Sequence, residues 1–180
     1  NAKAVCANFD RWYNFKGAAQ SPDVSAYWQD TFGGFKANES PDLPPSLYKS
    51  CTANGTDSAT ITLTDPTGRI PAALALPSFA MQSPTALKKY DADNVAAAGD
   101  TFQYPSYATA HPTGTGPYVY AGRDEAQKTV TITANPNYWG EKPKINKIVF
   151  KVISDNNARK QELQAQVEAV PDSLPIGLGH

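Results

Sequence analysis

The residues whose types could carry chemistry are few and widely spaced in this sequence. The chain has two cysteines, Cys6 and Cys51, and two histidines, His111 and His180. His111 precedes a proline in an irregular segment and His180 is the last residue, so neither is expected to be a base or a ligand. No Gly-x-Ser-x-Gly or His-Glu-x-x-His motif occurs, and the acidic residues are dispersed. Triads assemble from distant positions, which leaves a small enzyme open as an alternative, but we expect no enzyme, no cofactor and no metal site.

The two cysteines allow two readings. Cys6 and Cys51 could be buried free thiols of a cytosolic protein, or they could form a disulfide in an oxidising compartment. A disulfide would tie the first predicted helix to the start of a strand and close a loop of about 45 residues, worth roughly 3 to 4 kcal/mol in the chain-entropy model. With no second pair and no Cys-x-x-Cys motif, a structural zinc site is not expected.

Aromatic residues cluster around a pair of glycines early in the chain. The run Ala26 to Phe35 contains four aromatic side chains and the pair Gly33-Gly34. This pattern predicts an aromatic surface that flexible backbone folds back on itself. Such a surface can stack on a ligand or fill a small core, and packing is the favoured interpretation from these residues alone.

Composition limits the classes of function. The chain has 180 residues, enough for one domain with a core or for one domain plus part of another. Its net charge is -1 and its 16 lysines and arginines are scattered, so no nucleic-acid surface is expected. No apolar stretch approaches the length of a membrane span. Fifteen prolines and twelve glycines indicate many turns and short elements.

The first predicted element is an amphipathic helix over Ala2 to Tyr13. Val5, Phe9 and Trp12 are spaced so that they share one face. Gly17 is predicted to end this helix, since glycine is common just beyond a helix C-terminus.

The remaining pattern predicts an α+β chain. Strands are predicted from alternation and from β-branched content, and helix starts from serine and proline. The predicted elements are a strand at 58–65, a helix from Pro71 through Leu76, a helix capped by Ser83, a loop over 92–110, paired strands at 118–121 and 129–133 joined by a loop over 122–128, a strand at 147–153, and a helix at 156–167. Ala158, Leu163 and Ala165 are expected to face inward in that last helix.

Two turn-rich motifs mark the second half of the chain. Residues 111–118 read His-Pro-Thr-Gly-Thr-Gly-Pro-Tyr, and residues 135–145 read Asn-Pro-Asn-Tyr-Trp-Gly-Glu-Lys-Pro-Lys-Ile. Together with the helix at 4–12 and the strands and helices between and after them, they resemble the family 5 extracellular solute-binding proteins of ABC importers, which bind dipeptides and oligopeptides. The ordered resemblance covers nearly all of residues 4–165. The run Phe79 to Leu87 and the cysteine pair are most similar to actinobacterial members.

The resemblance implies a fold, a function and a location. The fold would be part of the periplasmic-binding-protein type II fold. The protein would be a monomeric receptor outside the cell, lipid-anchored in its full-length form. It would capture peptides or similar small solutes and deliver them to an ABC permease in the membrane. An oxidising location favours the disulfide between Cys6 and Cys51.

The resemblance also implies a partial fold, because members of the family run to several hundred residues. Residues 1–110 would form the extra subdomain of lobe I. Residues 111–167 would form the hairpin, strand and helix that return to the main part of lobe I, and 168–180 would be an atypical tail. Lobe II would be absent. A stand-alone secreted interaction or inhibitor protein, or a protease-resistant remnant of a receptor, is the alternative.

The resemblance points to Tyr27 and Trp28 as candidate ligand contacts. In the family, the segment that follows the first helix brings an aromatic side chain to the binding cleft, and these two residues occupy the matching place. Tyr27 is the first choice and Trp28 the second, with core packing as the alternative for both.

Overall fold

The computed structural model describes residues 1–168, with side-chain environments through residue 165. The predicted tail at 168–180 lies outside the described residues, except for Glu168, the last residue of the final helix. Six α-helices and seven strands are present in the described part of the chain: α1 (Ala2–Tyr13), α2 (Pro22–Phe32), β1 (Tyr48–Asn54), β2 (Ser58–Leu63), α3 (Ile70–Ala73), α4 (Pro84–Lys89), β3 (Ala96–Ala98), β4 (Thr101–Gln103), α5 (Ser106–Ala110), β5 (Tyr118–Asp124), β6 (Thr129–Ala134), β7 (Lys147–Lys151) and α6 (Asn156–Glu168).

Helix α1 has the predicted bounds and supplies much of the core. Phe9 is 1% exposed and Trp12 is 6% exposed, and both pack in an aromatic cluster with α2 and β1. The role predicted for Gly17, as the residue that terminates this helix, is wrong. The helix ends at Tyr13, where the C-cap residue Asn14 donates from its side-chain amide to the carbonyl of Asp10 at 2.6 Å. Gly17 instead starts a short 3-10 helix with a positive φ of 54°.

Strands β1 and β2 form an antiparallel hairpin that is fastened to α1. The strand predicted at 58–65 is confirmed as β2, and its partner β1 places Cys51 opposite Ile61. Cys6 and Cys51 form a disulfide with a Cα–Cα distance of 5.1 Å, so the disulfide reading is confirmed. The bond joins α1 to the middle of β1 and holds the hairpin against the core.

The predicted loop over 92–110 is wrong in part. Two three-residue strands, β3 and β4, pair as a small antiparallel hairpin there, and α5 follows. The three residues of β3 are all alanine and all exposed, so they give neither alternation nor an apolar face for a sequence pattern to detect. The two predicted helix N-termini are close to those observed. Pro71 lies in the first turn of α3, and Ser83 is the N-cap of α4.

The predicted hairpin in the second half is confirmed as part of a three-stranded antiparallel sheet of order β5-β6-β7. Strand β5 continues through Asp124, with a bulge near Gly122, so the connecting loop is shorter than predicted. On one face, Tyr120, Ile132 and Ile148 lie side by side on adjacent strands.

Helix α6 begins where the sequence indicates, but its side chains up to residue 165 do not face a core. The Asp155 carboxylate accepts a hydrogen bond from the backbone N–H of Ala158 at 2.7 Å, as expected of an N-cap. The expectation that Ala158, Leu163 and Ala165 face inward is wrong, because both alanines are exposed and Leu163 is 64% exposed. Among the described residues, no helix has both the length and the apolar character needed to cross a membrane.

Candidate functional site

Helix α2 positions the two predicted ligand contacts. Its N-cap is Ser21, whose hydroxyl accepts a hydrogen bond from the backbone N–H of Asp23 at 3.3 Å. The helix is kinked at Ser25, which has non-helical dihedrals (φ -127°, ψ 26°) and whose hydroxyl donates to the carbonyl of Ser21. Beyond the kink, consecutive side chains are about 100° apart around the helix axis. Tyr27 and Trp28 therefore point in different directions.

Trp28 is part of the core. It is 3% exposed, and its indole N–H donates to the carbonyl of Gly34 at 3.0 Å. Its ring lies 4.5 Å from that of Phe32 and stacks at 17° on that of Phe35. The side chain is thus buried on its apolar faces and satisfied at its one donor, which makes Trp28 an anchor for α2.

The Gly33-Gly34 pair folds the chain back as the sequence predicted. Gly33 is the C-cap of α2 and has a φ of 78°, a conformation that favours glycine. A Cβ at Gly34 would lie less than 3.0 Å from the carbonyl oxygen of Pro44 and from the side-chain amide of Asn38. This close approach lets Phe35 return to the ring of Trp28.

Tyr27 is 53% exposed and lies at the edge of a surface cleft of about 130 Å³. We call it the Tyr27 cleft. Its walls are mainly aromatic, with two serine hydroxyls, and none of the described residues that line it is charged: Trp12, Phe15, Val24, Ser25, Tyr27, Trp28, Ser78 and Phe79. Such a surface suits stacking and van der Waals contact with an uncharged group, and it offers no fixed charge for a ligand's termini.

The structure separates the two candidates. Both line the Tyr27 cleft, but Tyr27 is half exposed there, whereas Trp28 belongs to the buried aromatic core. Sequence reasoning did not single out Val24 or Phe79 as neighbours of Tyr27. Val24 is three residues before Tyr27, which a helical spacing could have indicated. Phe79 comes from a distant turn, for which the sequence holds no comparable signal.

The other residues considered for chemistry do not gather at this cleft. His111 stacks on Tyr90, with ring centroids 3.9 Å apart. Within residues 1–168, no group of three or more histidine, cysteine, aspartate and glutamate side chains lies close enough to hold a metal ion. The most perturbed hydroxyl is that of Tyr48, which is 1% exposed and donates to the Asp10 carboxylate at 2.6 Å. Burial, and then this hydrogen bond, raise the pKa of Tyr48.

Comparison with known proteins gives the chain relatives and a fold. It is 30% identical over 165 residues to the glutathione-binding protein GsiB of Salmonella typhimurium, a match that covers 91% of this chain and 25% of that protein. It is 41% identical over 54 residues to Protein XP55 of Streptomyces lividans, covering 30% of this chain and 10% of that protein. Actinobacterial origin itself stays a prediction.

The fold matches that of a solved ABC transporter-associated periplasmic binding protein, DppA from Helicobacter pylori in complex with the peptide STSA. The TM-score is 0.64 at 18% identity, over 92% of this chain and 29% of DppA. The predicted fold class is confirmed, because such neighbours have the type II periplasmic-binding-protein fold. The chain spans about a quarter of the length of GsiB and DppA.

The family model described as the middle of the bacterial extracellular solute-binding proteins of family 5 matches residues 1–171. This match includes α1, the disulfide, the Tyr27 cleft and both turn motifs of the second half. The chain therefore belongs to the family 5 bacterial extracellular solute-binding proteins.

Proposed function

We propose that this chain belongs to the substrate-binding component of an ABC importer, which captures peptides or similar small solutes outside the membrane and delivers them to a permease. Membership of a family of extracellular solute-binding proteins supports this role. The names of the relatives favour peptides, since they include a dipeptide-binding protein of Escherichia coli and the glutathione-binding protein of Salmonella typhimurium. The role is binding rather than catalysis.

We propose Tyr27 as a contact to the solute, and the geometry of the Tyr27 cleft is the observation that carries this step. An aromatic ring that is half exposed, next to an aromatic cleft, has apolar surface to gain from covering. Trp28 acts from behind as the anchor that fixes the direction of Tyr27, because its ring and its indole N–H are both engaged in the core.

The same proposal assigns the parts of the chain. Residues 1–110, with the disulfide and the Tyr27 cleft, form the extra subdomain of lobe I. Residues 111–167 lead back to the main part of that lobe, and 168–180 lie beyond it. This lobe and a second lobe close over the solute. A monomer held at the cell surface by a lipid anchor is the proposed state of the full receptor.

The test is calorimetry with di- to pentapeptides on the complete gene product that contains this sequence. Tyr27→Ala should raise the Kd for bound peptides by roughly 5- to 30-fold, the equivalent of about 1 to 2 kcal/mol for a lost aromatic contact. Asp30→Ala, a change at an exposed position of the same helix, should leave the Kd within about twofold, since surface substitutions are usually small in effect.

Two results would count against the proposal. If no peptide binds the gene product at micromolar concentration, the peptide class is wrong. If Tyr27→Ala and Asp30→Ala have equal effects, Tyr27 is not a contact. A native product of only 19.3 kDa, measured by intact mass from its source, would favour the alternative of a stand-alone secreted protein.

A further inference from the structure

A second cleft adjoins the Tyr27 cleft on the same surface. It has a volume of about 330 Å³, and it shares Phe15 and Val24 with the Tyr27 cleft. Tyr104 and Tyr107 also line it, and Arg11 and Gln82 supply polar groups. We call it the Arg11 cleft. Because Phe15 and Val24 line both clefts, the two lie close enough for one ligand to reach both.

The guanidinium of Arg11 is held in place by hydrogen bonds that do not use all of its N–H donors. It is 16% exposed. Its Nε donates to the Asp93 carboxylate at 2.6 Å, one Nη donates to the Gln82 side-chain oxygen at 3.2 Å, and the other donates to the Ala92 carbonyl at 3.1 Å. A guanidinium has five N–H donors. Among the described residues these three bonds are the ones it makes, so each Nη keeps one N–H for a further acceptor.

The charge balance of the Arg11 cleft favours an uncharged ligand. Arg11 and Asp93 are the charged residues of its lining, and they neutralise each other as an ion pair. A ligand carboxylate would approach the Asp93 carboxylate that already occupies Nε, and like charges repel. A carbonyl oxygen can accept from the free Nη hydrogens without that cost. Phe15, which lies 5.1 Å from the guanidinium carbon, and Val24 then provide apolar surface beside it.

We propose that the Arg11 cleft is a subsite for one uncharged apolar or aromatic side chain of the solute, with Arg11 donating to a neighbouring carbonyl oxygen of the same ligand. This inference rests on the proposed function. The Arg11 cleft is near the lower limit of ordinary ligand pockets, about 300 Å³. Such pockets usually have a few polar groups within apolar walls, as this cleft does.

The cleft can be probed by NMR on the complete gene product with two small ligands. N-acetyl-phenylalanine amide is neutral and carries both an aromatic ring and carbonyl oxygens, and N-acetyl-aspartate amide replaces the ring with a carboxylate. The phenylalanine probe should shift the Val24 methyl signals and the Tyr104 ring signals in a saturable way. The aspartate probe should shift them at least about fivefold less at equal concentration. Equal shifts would overturn the neutral character of the site.

The second arm measures peptide affinity in the complete gene product. Tyr104 is 44% exposed, so Tyr104→Ala should leave the fold intact. The variant should weaken binding of Ala-Phe by about 5- to 10-fold and change binding of Ala-Ala by less than about twofold. Leu76→Ala, at a residue that is 37% exposed and lies in neither cleft, is the control and should change neither.

The two proposals fail in different ways. If Ala-Phe and Ala-Ala bind but Tyr104→Ala affects both equally or neither, the subsite is wrong and the receptor role stands. If no peptide binds the gene product, the receptor role fails, and the subsite fails with it.

Discussion

The tight turn at Gly34 gives the sharpest prediction about the frame of the Tyr27 cleft. Gly34→Ala places a methyl group against the carbonyl oxygen of Pro44 and both polar atoms of the Asn38 side chain, all at less than 3.0 Å. Asn38 cannot move freely, because its oxygen accepts from Phe35 N at 2.7 Å and its nitrogen donates to the carbonyls of Leu43 and Pro44 at 2.9 and 3.0 Å.

The magnitude follows from these contacts. Forcing an extra methyl into a packed site costs about 1 to 3 kcal/mol. Displacing Asn38 also weakens up to three hydrogen bonds, each worth about 1 kcal/mol net. The sum, roughly 1 to 6 kcal/mol, is a large part of the 5 to 15 kcal/mol that stabilises a typical domain. We expect Gly34→Ala to lower the free energy of unfolding by this amount and the Tm by roughly 2 to 24 °C.

Urea unfolding followed by tryptophan fluorescence is the assay, since Trp28 donates to the carbonyl of Gly34 itself. Gly68→Ala is the matched control: a Cβ at Gly68 meets nothing within 4 Å, so its effect should stay within about 0.5 kcal/mol. A double-mutant cycle with Asn38→Ala sharpens the test. The double variant should lose less free energy of unfolding than the sum of the losses of Gly34→Ala and Asn38→Ala, because the Asn38 side chain is part of the clash. An additive cycle, or a loss below about 1 kcal/mol for Gly34→Ala, would refute the reasoning.

Three further predictions concern stability. Replacing both Cys6 and Cys51 with alanine should lower the free energy of unfolding by about 4 kcal/mol in the chain-entropy model for a separation of 45 residues, and a reductant should destabilise the native chain but not this variant. Trp28→Phe should lower the free energy of unfolding, measured with urea, by about 2 to 4 kcal/mol, because side-chain volume and an indole hydrogen bond are lost. Tyr27→Ala, at the exposed neighbour, should lower it by less than about 1 kcal/mol. Equal losses would contradict the separation of a core residue from an exposed one. The folded-state pKa of Tyr48 is raised above its ordinary value of 10.0. The contribution of this group to the free energy of unfolding is therefore complete below pH 10 and falls as the pH rises above it, by up to about 1.4 kcal/mol per pH unit. Unfolding curves from pH 8 to 11 should show this slope above pH 10, and Tyr48→Phe should remove it.

Local patterns predicted the elements whose side chains face a core on one side. Helix α1 has its predicted bounds because Phe9 and Trp12 recur at helical spacing and are buried. Strand β2 was visible because Ile61 and Leu63 alternate with threonines and are covered on one face. Strands β3 and β4 were missed because three residues are too few to establish a period. Gly17 was misassigned because the helix already ends at Tyr13, with Asn14 as its C-cap.

Burial was less predictable than secondary structure. The start of α6 follows from Asp155 at its N-cap, but Leu163 is 64% exposed although its spacing suggested an inward face. Periodicity reports which residues share a side of a helix. What lies against that side depends on other parts of the fold, which a local pattern does not contain.

The candidate site shows the same limit at the scale of one residue. The resemblance to the family located the segment that contains Tyr27 and Trp28, but the sequence could not say which ring faces solvent, since both are large aromatic residues in one helix turn. The kink at Ser25 and the carbonyl of Gly34 decide it, because Trp28 rotates to reach that acceptor and Tyr27 must then turn outward. An exposed and a buried position thus fall to neighbouring side chains, and the buried one is fixed by the carbonyl of a glycine six residues further on. A change at Gly34, which does not itself line the Tyr27 cleft, should therefore disturb that cleft through its hydrogen bond from Trp28.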